Sequence, residues 1–94
     1  MAEEVLHIIV SGRVQGVGFR YHVEALARIC GVAGWVRNLP SGEVEILARV
    51  PLAARQRFVA GVQEGPPASR VEGLRISPAA RPQECPAEGF SVRF

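Results

Sequence analysis

A strand and a helix joined through three closely spaced glycines constrain this chain more than any other feature. Leu6, Ile8 and Val10 alternate with His7, Ile9 and Ser11, the period of two of a strand with one face against a core. From Phe19 the period changes. Phe19, Val23, Leu26, Ala27 and Cys30 share one helical face, and Gly31 follows as a left-handed cap. Between the two runs lies Gly12-Arg13-Val14-Gln15-Gly16-Val17-Gly18-Phe19-Arg20. The first N–H groups of such a helix have no intrahelical partner and aim back into the loop, while glycine lets the backbone turn with positive φ and approach a ligand closely. Successive N–H groups form a concave nest for an anion, and the helix dipole adds partial positive charge. Arg20 falls in the first turn, where a cation works against that dipole; an anion held between them removes the conflict. Its planar fork of donors matches phosphate oxygens, so the expected guest is a phosphoryl group.

The rest of the chain supplies a frame for that loop. Val32 to Asn38 reads as a second strand and Leu39-Pro40-Ser41-Gly42 as the turn into a third, Glu43 to Val50. In the third strand Val44, Ile46, Ala48 and Val50 point inward, with Glu43, Glu45 and Arg49 outward. Pro51 fits the first position of a second helix, which carries Leu52, Phe58, Val59 and Val62 to the core and stops at Gly65-Pro66-Pro67. Arg70 to Ser77 is a fourth strand whose alternation breaks near Gly73, predicting a bulge. Residues 78–89 read as a Pro-rich loop and Phe90 to Phe94 as a short closing strand. The order is βαββαβ plus a terminal strand. That is an α+β, ferredoxin-like split β-α-β two-layer sandwich: an antiparallel sheet with two helices on one face. At 94 residues the chain reads as a single domain, 1–94.

Composition removes whole classes of chemistry. Lys, Asp and Thr are absent, so there is no Walker loop, Schiff base, aspartyl-phosphate nucleophile or EF-hand. His7 and His22 lack a second His or Cys at metal-binding spacing, and both read as surface residues, so no metal site is expected. Cys30 lies on the apolar helical stripe and Cys85 in the Pro-rich loop, without CxxC spacing. A reduced cytoplasmic setting fits that usage, and no run is long enough to cross a membrane. The net charge of +2 comes from 11 basic and 9 acidic residues mixed along the chain, not gathered into a stripe that grips nucleic acid. An RNA reader on this frame also needs aromatics on its central strands, where Trp35 stands alone.

The loop Gly12 to Arg20, then Gly34-Trp35-Val36-Arg37-Asn38, then Gly42-Glu43-Val44-Glu45, resembles the acylphosphatase family. The resemblance extends through Gly65-Pro66-Pro67 and Val71-Glu72 to Phe90-Ser91-Val92-Arg93-Phe94. Ser41 stands before Gly42 where the family usually has Asp; Ser can support the same turn. The resemblance implies hydrolysis of the carboxyl–phosphate bond of small acyl phosphates by direct in-line attack of water, with no cofactor and no metal. It implies that Arg20 and the backbone amides of Gln15, Gly16, Val17, Gly18 and Phe19 bind the phosphoryl group. Asn38, the chain's only asparagine, would then position the water. Inorganic phosphate is expected to be both product and competitive inhibitor.

Overall fold

The computed structural model describes residues 2–94. Its elements are β1 (Glu3–Arg13), α1 (Phe19–Cys30), β2 (Ala33–Asn38), β3 (Val44–Pro51), α2 (Arg55–Glu64), β4 (Arg70–Pro78) and β5 (Phe90–Arg93). The five strands make one sheet in the order β4-β1-β3-β2-β5. β1 and β2 flank β3, so the β-α-β unit is split by an inserted antiparallel strand, as the periodicities predict. β5 is the exception to the antiparallel expectation. It pairs with β2 in parallel, so the sheet is mixed. The chain leaves β4 on one edge and reaches the opposite edge through residues 79–89, a crossover no hairpin could replace.

The inner face of the sheet carries the core. Ile8 sits between Ile46 and Ile76, and Val10 between Val44 and Leu74. Ile8, Val10, Val44 and Ile46 are fully buried, beneath Phe19, Val23 and Ala27 of α1 and Phe58 and Val62 of α2. Each such aliphatic contributes about 1.5–3 kcal/mol of burial. Truncating Phe58 to Ala would cost about 3–5 kcal/mol. The bulge expected near Gly73 is present: Ser11 pairs with Gly73 and Gly12 with Val71, leaving Glu72 as the extra residue.

Two expectations need correction. Pro51 does not open the second helix; it ends β3, paired with Glu3, and a 3₁₀ turn at Leu52–Ala54 precedes α2. That tighter turn leaves Leu52 about half exposed instead of core-facing, and Val59 is only half-buried. The Pro-rich segment, for its part, is more than a connector. It contains a 3₁₀ turn, Pro82–Glu84, and lies on the outer face, where Cys85 packs on Trp35 and Leu47. Leu47, in the solvent phase of β3, is therefore buried.

Candidate active site

The loop between β1 and α1 takes the conformation its glycines suggest. Gly16 has φ +74° and Gly18 φ +80°, and at both positions an added Cβ would meet no atom within 4 Å. Glycine is needed there for backbone angle and not for space. Gly18 caps α1 with no side-chain hydrogen bond, and the first turn holds no acidic residue, so the helix start is neutralised neither by a capping side chain nor by a carboxylate of its own turn. Phe19 is buried and anchors the helix, Gln15 and Val17 are half-buried, and Gly16 and Gly18 are exposed.

Arg20 stands in that first turn, half-buried. Its Nη1 donates to the Arg93 carbonyl at 2.8 Å, and its guanidinium carbon lies 4.4 Å from the centre of the Phe94 ring. The side chain is thus held on one edge and one face. A guanidinium carries five N–H groups, so donors remain for the oxygens of an anion. Arg93 pairs with Arg37 in the parallel register, one residue before Asn38. The last strand thereby ties Arg20 to the end of β2.

Asn38 ends β2 opposite Val44, which itself faces Val10. It shares the inward phase of Val36, in the last row that joins β1, β3 and β2, three residues before β1 ends at Arg13. Among the described residues its Oδ1 is the one buried side-chain polar atom that no hydrogen-bond partner reaches. An unspent buried acceptor is costly, and it marks a place where a donor from a ligand or water belongs.

Sequence reasoning missed the contacts that join these parts. The Gln15 side chain donates from Nε2 to the carbonyls of Leu39 and Glu43, both at 2.8 Å, and so binds the glycine loop to the turn after Asn38. Neither this nor the Arg93 carbonyl leaves a periodic signal. The histidines are engaged elsewhere. His22 Nε2 meets the Gly61 carbonyl at 3.0 Å between the helices, and His7 Nε2 meets Glu45 Oε2 at 2.7 Å on the outer face. Glu45 also accepts from Arg37 Nε at 2.6 Å. Burial alone would push its carboxyl up, but the hydrogen bonds from His7 and Arg37 and the Arg37 charge hold it below the ordinary value. A groove of about 380 Å³ lies on that face, with its charged groups spent on one another: Glu45 as described, and Arg81 on Glu84 at 3.4 Å. Burial likewise pushes the Cys85 thiol up, which suits a packed side chain and not a nucleophile.

Residues 6–92 match the model of the acylphosphatase family. The chain belongs to that family. An acylphosphatase of Gloeobacter violaceus is 51% identical over 71 residues, covering 76% of each chain. One from Rhodospirillum rubrum is 41% identical over 90 residues, covering 96% of both. The crystal structure of acylphosphatase from Bacillus subtilis superposes with a TM-score of 0.87 at 42% identity, covering 96% of this chain and 98% of that one. As an acylphosphatase the chain is a hydrolase of the acid anhydride bond in acyl phosphates, on the ferredoxin-like frame expected from its sequence.

Proposed function

We propose that residues 1–94 act as one acylphosphatase domain that hydrolyses small acyl phosphates without metal or cofactor. The amides of Gln15 to Phe19 and the guanidinium of Arg20 hold the phosphoryl oxygens, and Asn38 orients the attacking water. The observation that carries this reading is the unspent, buried Oδ1 of Asn38 at a strand end tied to the glycine loop. An acceptor placed there takes one O–H of a water and leaves the oxygen lone pair directed at phosphorus.

The water oxygen bonds to phosphorus as the bond from phosphorus to the acyl oxygen breaks. The acyl group departs as carboxylate, and the water's proton passes to the phosphate product. A carboxylate leaves readily, so the reaction needs neither a covalent intermediate nor a strong base. It needs the phosphoryl charge held and the water in line. Preorganised amides and one guanidinium supply that electrostatic stabilisation. Inorganic phosphate, with the same oxygens as the transferred group, competes for the same nest. The mixed surface charge argues against nucleic acid as a partner, and the two free, buried cysteines fit a cytoplasmic setting. No helix among the described residues is long and apolar enough to cross a membrane.

Hydrolysis of benzoyl phosphate in the presence of a chelator tests the reading, with Asn38→Ala as the paired variant. Full activity of the native chain and loss of turnover in the variant are expected. Activity abolished by the chelator and restored by magnesium would overturn it.

A further inference from the structure

We infer that the Gln15 side chain is a positioning residue: it sets the distance between the phosphoryl nest and Asn38 by clamping the turn that follows Asn38. This rests on the roles proposed above for the loop and for Asn38, in which Gln15 contributes only its backbone N–H. The side chain does something separate. Both protons of its amide are spent on carbonyls, Leu39 and Glu43, each at 2.8 Å. With two carbonyls as partners, the nitrogen and not the oxygen must face the turn.

Those two carbonyls are the closing points of the β2–β3 connection. The Leu39 N–H donates to the Glu43 carbonyl at 2.8 Å, and the Gly42 N–H donates to the Leu39 carbonyl at 3.1 Å. Gln15 therefore adds two bonds from outside to a turn closed by two backbone bonds and braced internally by the Ser41 hydroxyl on Glu43, and it reaches there from a loop 24 residues earlier in the chain. Leu39 is the residue directly after Asn38, so the clamp acts one peptide away from the water acceptor. One residue thus holds the phosphoryl half of the site by its backbone and the water half by its side chain. In-line attack depends on the separation of those halves, and a shift of about 1 Å can cost on the order of 10²-fold in rate.

Few side chains could replace it. Glu has the same length but no donor in its ionised form, and its oxygens would face two carbonyls. Asn keeps the amide on a stem one carbon shorter. Met keeps the length and loses both hydrogen bonds.

The test is a double-mutant cycle on benzoyl phosphate hydrolysis, with inorganic phosphate affinity measured calorimetrically on every variant. Gln15→Met is expected to lower kcat by roughly 10-fold or more while changing phosphate affinity by less than about 3-fold. In an Asn38→Ala background the same substitution should change the residual rate by less than about 3-fold, because the group it positions is gone; in an Arg20→Ala background its full factor should persist. A purely structural role would lower phosphate affinity and kcat together and would show the same factor in both backgrounds, which would overturn the inference. So would native kcat in Gln15→Met. If the Met variant does not fold, Gln15→Asn carries the same cycle, with an expected intermediate loss of kcat. Asn38→Ala alone separates the two levels. Native turnover in that variant removes the underlying reading, whereas lost turnover without coupling to Gln15 removes only the clamp.

Discussion

The two halves of the site are built from opposite materials. The loop half is backbone: exposed glycines at φ +74° and +80° with open space around them, and an arginine held by a carbonyl and an aromatic ring. The strand half is a single side chain at the end of a sheet row, with a buried oxygen that no donor among the described residues satisfies. The difference suits the tasks proposed for them. Holding spread negative charge calls for many donors around a shallow concavity, whereas orienting one water calls for one acceptor in a rigid place.

On the proposed division the two halves fail differently. The largest effect is expected from Arg20→Ala, which removes a charged partner from both the bound and the transition state. Steady-state kinetics should give a loss of at least about 10²-fold in kcat/KM, with weaker phosphate competition. Near-native kinetics would move the anion site off the loop.

Gly16→Val attacks the same half through conformation alone, since an added side chain meets no atom but must adopt positive φ. A stability loss of about 1–2 kcal/mol is expected from denaturant unfolding, with a fall in kcat/KM on the order of 10-fold. Gly16→Asn should recover much of both, because Asn tolerates that region. An equal defect in both variants would point to size instead of angle.

Phe94→Ala is a milder probe of how Arg20 is held. The ring is 90% exposed, and its contact with the guanidinium is worth about 0.5–1 kcal/mol, so a loss of roughly 2- to 5-fold in kcat/KM is expected. A kcat/KM equal to that of the native chain would leave the Arg93 carbonyl as the sole brace.

Glu45 on the outer face serves as a control outside both halves. Its folded pKa lies below the ordinary value, so its contribution to stability is fully present above that value and is lost as pH falls through the folded one. Unfolding midpoints of Glu45→Gln should therefore depend less on pH on the acid side than those of the native chain, while kcat/KM at neutral pH changes by less than about 2-fold. Parallel acid slopes would show that the His7 and Arg37 bonds do not hold in solution.

What the sequence made legible depended on contrast between two environments. β1 and β3 alternate because one face meets the helices, so Ile8, Val10, Val44 and Ile46 announced themselves. The glycine loop was legible because three glycines and a misplaced cation have few joint explanations. The outer face offered no such contrast: Leu47 sits in the solvent phase and is buried only because a loop with no periodicity of its own, carrying Cys85, crosses over it. The parallel pairing of β5 was hidden for the same reason, since the path of residues 79–89 decides it. Leu52 failed because a 3₁₀ turn and an α-helix begin with the same Pro signal and rotate the next residue differently. Gln15 was read for its backbone, and one side chain bridging to a distant turn has no local signature.

The smallest effect expected anywhere is also the most direct test. Phosphate titrated into Asn38→Ala by calorimetry should bind with native affinity, although the same variant has lost turnover on benzoyl phosphate. Affinity that falls in step with kcat would make Asn38 part of the anion nest and contradict the division between loop and strand end.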